Sequence, residues 1–138
     1  MPVASFVKYQ PFQEKLVEGI NAGSDTWRVI LSNTAPDATD SVQADAAELT
    51  TAGGYTANGN TCAVTSSVQT SGVYKLILAD PAAWTGSGAG FTARYAILWD
   101  QTIDALAGYW DYGSSQAVAA SETFTVDLDG AAGVFTVT

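Results

Sequence analysis

Residues 91–112 read FTARYAILWDQTIDALAGYWDY, two β-rich runs separated by a polar turn. In the first run Tyr95, Ile97 and Trp99 alternate onto one face, as an extended backbone requires. Asp100 and Asp104 flank the turn, and 105–112 forms the second strand, where alternation separates Tyr109 from Trp110 and Tyr112. The opposite face of the first strand holds Ala96 and Leu98, so apolar residues lie on both sides. Either the chain's own helix or loop covers the second face, or another protein does.

Working outward, 73–78 (VYKLIL) is a strong strand, joined to 91–99 by a loop that holds Pro81, Trp84 and the flexible run Gly86-Ser87-Gly88-Ala89-Gly90. Upstream, 61–70 (TCAVTSSVQT) is a weaker Thr/Ser-rich strand, and 42–49 has room for a helical turn. Trp27, Val29 and Leu31 alternate with Arg28 and Ile30 until Asn33-Thr34-Ala35-Pro36 ends that strand. Downstream come 116–119, then 123–128 with Phe124, Val126 and Leu128 on one face, then 134–138 after the turn at Asp129-Gly130. Before all of these, Pro11 can open a helix whose apolar stripe is Phe12, Leu16 and Ile20, with Asn21-Ala22-Gly23 as its stop.

The pattern predicts an all-β fold, an antiparallel β-sandwich or jelly roll of about eight strands with one short N-terminal helix. A chain of 138 residues fits a single domain spanning 1–138: an N-terminal arm at 1–10, the helix at 11–22 and the sandwich at 27–138.

Composition removes whole classes of chemistry. Histidine is absent, so a Ser-His-Asp or Cys-His nucleophile and a His-ligated zinc have no residue to build on. Cys62 is the sole cysteine and reads as a small packing residue, with no internal disulfide and no cysteine-cluster metal site. The net charge of -9 repels phosphate backbones and anionic headgroups, so neither nucleic acid nor membrane is an expected partner. No signal-peptide pattern opens the sequence, so manufacture and use without that export route are expected. Only 14% of residues are charged, a bland surface compatible with burial in an assembly.

Carboxylate catalysis survives without histidine, and Asp100, Asp104, Asp111 and Glu122 lie near aromatic residues. Each has a plainer role at a turn or strand end, so no catalytic residue is expected and the chain is read as a non-enzyme. Asp127-Leu128-Asp129-Gly130 begins like a calcium loop but lacks the later ligands, and the Gly86–Gly90 run lacks the Lys-Ser/Thr of a phosphate loop. Neither metal nor cofactor is expected. The rings of Tyr109-Trp110-Asp111-Tyr112 serve either as core or as an exposed platform for stacking sugars.

Four stretches taken together carry a resemblance: Gly54-Tyr55-Thr56-Ala57-Asn58-Gly59, Arg94-Tyr95-Ala96-Ile97-Leu98-Trp99-Asp100, Gly108-Tyr109-Trp110-Asp111-Tyr112-Gly113-Ser114-Ser115 and Glu122-Thr123-Phe124-Thr125-Val126-Asp127. The chain resembles the jelly-roll cement, or capsid decoration, proteins of tailed bacteriophages from the Phe6-to-Ile20 segment to its end. The resemblance implies a structural virion protein, assembled in the host cytoplasm, that binds the exterior of the mature head. There it would clamp neighbouring copies of the major capsid protein, with a homodimer on a local two-fold axis as the simplest bridge. The expected contact residues are Pro2, Val3 and Phe6 of the arm, Trp84 in the loop, and Tyr109 and Tyr112. The competing expectation is a carbohydrate-binding module of a phage tail, fibre or baseplate.

Overall fold

A computed structural model describes residues 4–138. Among these the chain forms an all-β fold with antiparallel sheets and one short α-helix. The strands are β1 (Phe6–Lys8), β2 (Trp27–Ser32), β3 (Asn60–Cys62), β4 (Val64–Thr70), β5 (Val73–Leu78), β6 (Trp84–Thr85), β7 (Phe91–Asp100), β8 (Ala105–Val118), β9 (Thr123–Phe124) and β10 (Phe135–Val137). They make a five-stranded sheet in the order β1-β8-β7-β2-β3, a three-stranded sheet β10-β5-β4 and the pair β6-β9.

The helix α1 spans Gln10–Glu18, shorter than the expected 11–22. Pro11 sits in its first turn as expected, while Gly19 at its C-cap ends it before Ile20. The Phe12 ring is buried against Phe135 at 5.3 Å between centroids.

Several strand boundaries differ from the periodicity. The expected strand 61–70 divides at Ala63, sending β3 to the large sheet and β4 to the small one. The expected strands 105–112 and 116–119 are one, because β8 stays paired with β7 from Ala105 to Val118. Only Thr123–Phe124 of the expected 123–128 is paired, yet Phe124, Val126 and Leu128 are all buried. Alternation there reports burial of one side and not a ladder. The helical turn expected within 42–49 is a 3-10 turn at Gln43–Ala46, and 134–138 shortens to β10. The short strands β1 and β6 carry no periodicity to read.

Register puts Val29 and Leu31 opposite Leu98 and Ala96, and Ala96 opposite Trp110, on one face of the large sheet. That face meets the small sheet, where Trp27 and Phe135 lie 6.4 Å apart. The other face carries Ile30, Ile97 and Tyr109 in register. Its cover is the chain itself. The segment between β2 and β3 is tied to it by Ser32 Oγ donating to the Ala47 carbonyl at 2.8 Å, Leu49 N–H to Leu31 O at 2.9 Å and Leu106 N–H to Ser41 O at 3.0 Å. Tyr9 closes over Tyr109 at 5.4 Å. Ile30 and Ile97 are fully buried as a result, so the two-faced strand needs no second protein.

The Gly86–Gly90 loop, expected to be mobile, is held in place. Ser87 N–H donates to Gly53 O and Ser121 N–H to Gly86 O. A Cβ on Gly90 would lie 2.1 Å from Val118 O, so glycine is required for backbone to meet backbone there.

Candidate functional site

The expected contact residues separate into three groups. Pro2 and Val3 lie outside the described residues. Phe6 belongs to β1 and not to a free arm: its register partner is Trp110, and the two rings lie 4.9 Å apart. Gly108 makes that packing possible, since a Cβ there would fall 2.3 Å from the Phe6 ring. Tyr109 is half-buried between Tyr9 and Tyr95.

Trp84 and Tyr112, expected as contacts, are largely buried. Trp84 is 3% exposed and packs on Phe124 and Tyr55, while Tyr112 is 8% exposed and edge-on to Phe124. Large rings on a small sandwich were needed for the core that joins β6-β9 to the large sheet. Burial, followed by the nearby Asp127 charge, pushes the Tyr112 phenol up to about 12. It stays neutral at every physiological pH.

Among the described residues, two concave surfaces stand out. The larger is a cleft of about 570 Å³ between the β1 edge of the large sheet and the stretch leading to β10. Phe6, Trp110 and Tyr112 form one wall, and Thr125, Asp127 and Asp129 line the other. Asp127 Oδ1 accepts the Asp129 N–H at 2.8 Å, and Asp129 Oδ1 accepts the N–H groups of Ala131 and Ala132 at 3.1 and 2.9 Å. These bonds shape the turn and leave its charge in place. No calcium loop forms, and no cluster of metal-ligating side chains occurs among the described residues.

The second surface is an apolar groove of about 370 Å³ between α1 and the small sheet, lined by Leu16, Val17, Ile20, Tyr74, Ser67 and Val137. Val17 is 85% exposed and Val137 43% exposed. Sequence reasoning placed Leu16 and Ile20 on the apolar stripe with Val17 beside them, and did not single out Val17 as a contact residue. What could have drawn attention is a β-branched apolar side chain on the solvent side of a short helix. Val137 could not be recognised, because β10 places it by pairing with Tyr74, more than 60 positions away.

The four weighed carboxylates do not converge. Asp111 accepts from Arg94 Nε at 2.8 Å and Gly113 N–H at 2.8 Å, and the Arg94 guanidinium first, the Gly113 amide second, hold it below the usual carboxylate range. Asp104 accepts from Trp99 Nε1 and Gln43 N–H, each at 2.9 Å, while Glu122 accepts the Ala119 N–H at 3.1 Å.

Asp100 is different. It is fully buried; Oδ1 accepts the N–H of Thr102 at 3.0 Å, and Oδ2 has no donor when the group is ionised. Burial raises its pKa most, and the adjoining Asp25 carboxylate raises it further, because a protonated Asp100 can donate to Asp25. Asp25 in turn accepts the Asn21 N–H at 2.9 Å, so the pair pins the turn that leads into β2. Cys62 is buried, and burial first, then Asp80, lifts its thiol to about 12; it packs and does not react.

Comparison with protein-family models, with curated proteins and with solved structures found no match for this chain.

Proposed function

We propose that this chain is a capsid decoration protein of a tailed bacteriophage, bound to the outside of the mature head and clamping neighbouring major capsid proteins. The observation that carries the reading is the open apolar groove beside α1, where the exposed Val17 and Val137 lie together. In this reading a segment of the major capsid protein fills the groove. The all-β fold supports the proposal, as does the sequence resemblance to cement proteins that runs over nearly the whole chain. Each copy then needs only modest affinity, because contacts repeated across a lattice add multivalently. A homodimer on a local two-fold axis would double the contacts per particle and belongs to the same proposal.

The carbohydrate-binding alternative has less support. Stacking on sugar requires open ring faces, and Trp110 and Tyr112 are 6% and 8% exposed.

The test is co-sedimentation of purified chain with mature heads and, separately, with host-cell envelopes. Stoichiometric binding to heads is expected, and Val17→Asp should weaken it about tenfold while leaving the thermal unfolding midpoint nearly unchanged, since that side chain is exposed. Binding to envelopes instead of heads would overturn the proposal. Sedimentation velocity on the free chain checks the dimer.

A further inference from the structure

The edge of the five-stranded sheet offers a second, chemically distinct site. Among the described residues β1 is the terminal strand of that sheet and pairs only with β8. Tyr9 N–H donates to Ala107 O at 3.1 Å, which sets the hydrogen-bonding phase of the pair. In an antiparallel ladder that phase alternates, so Val7 bonds to Tyr109 while the N–H and C=O groups of Phe6 and Lys8 point away from β8. The outward groups of Phe6 open onto the rim of the 570 Å³ cleft.

We infer that an extended, basic segment of a partner chain adds to this edge as a sixth strand. Neighbouring strands lie about 4.8 Å apart, so an added strand would run along β1 and put alternate side chains into the cleft. Those side chains would rest on Phe6 on one side and meet Asp127 and Asp129 on the other. The acidic wall selects Lys or Arg at these positions. Among the described residues the salt bridge is Arg94–Asp111, and Lys75, which reaches this turn, donates to the Ala131 carbonyl at 3.1 Å. Asp127 and Asp129 line the cleft, and among the described residues neither is in a salt bridge. Lys8 charges the far end of the edge, which disfavours pairing there and leaves the Phe6 end as the docking point. The inference does not depend on the partner being a capsid subunit.

The experiment needs no capsid. A blocked heptapeptide of alternating valine and lysine is titrated into the full chain up to about 1 mM, with amide resonances and hydrogen exchange read residue by residue. The Phe6 amide should shift and gain protection. Asp127→Asn combined with Asp129→Asn keeps the Oδ1 acceptors of the turn and should weaken binding about fivefold. The matching valine–glutamate peptide should not bind, and Val17→Asp should leave the affinity unchanged. Absence of a shift at Phe6, equal binding of the acidic peptide, or loss of binding in Val17→Asp would each overturn the inference. So would tighter binding to a chain lacking Met1 to Val3, which would assign the cleft to the chain's own beginning.

Discussion

Asp100 is the one buried carboxylate whose state depends on pH near neutrality. Its folded pKa is raised above its unfolded value by burial and by Asp25, so the folded chain holds the proton more tightly than the unfolded chain. Stability from this residue is complete below the unfolded pKa near 3.8 and falls as pH rises toward about 7. The slope for one such group is at most about 1.4 kcal/mol per pH unit. Asp100→Asn keeps the Oδ1 acceptor for Thr102 and supplies a permanent donor toward Asp25. The variant should match the parent near pH 4 and be more stable at pH 8, with denaturant midpoints across that range as the measurement. A parent whose stability rises with pH over the same range would contradict the assignment. The sequence put Asp100 at a turn; that its second oxygen is buried beside Asp25 depends on a loop 75 positions upstream folding against it.

Elements fall into those their own residues specify and those imposed by neighbours. β2, β5, β7 and most of β8 were readable because their side chains alternate and are β-branched or aromatic. β1 was not, since Phe6–Lys8 has no alternation and is a strand only because Gly108 leaves room for the Phe6 ring. Gly108→Ala should therefore cost about 2 kcal/mol through a Cβ placed 2.3 Å from that ring and 2.6 Å from Val7 O. Chemical denaturation measures the loss, and hydrogen exchange should show it concentrated at β1. An unchanged midpoint would mean that β1 moves aside at no cost. Truncation through Phe6 removes part of β1 and should lower the stability of the domain.

At the scale of the whole molecule, buried residues of all three sheets and α1 join in one hydrophobic cluster. Unfolding should then be a single cooperative transition. Tryptophan fluorescence, which reports Trp27, Trp84, Trp99 and Trp110, should give the same midpoint as far-ultraviolet circular dichroism; separate midpoints would divide the chain into two units. The two open surfaces sit on different elements, the apolar groove on α1 and the small sheet, the acidic cleft on the β1 edge. The net charge of -9 disfavours non-specific association of copies of the chain.

The amino-acid order by itself determined that the chain is all-β with one short helix, because period-two alternation and a capped apolar stripe are local properties of a dozen residues at a time. Composition likewise determined that histidine chemistry and an internal disulfide have no material. Which surfaces are open was decided only by the tertiary structure. Trp84 and Tyr112 look like contact residues until β6-β9 and the large sheet close over them, and Val17 and Val137 look ordinary until the fold brings them to one groove. Exposure is a property of what the rest of the chain covers, and that depends on pairings between residues as distant as Phe6 and Trp110.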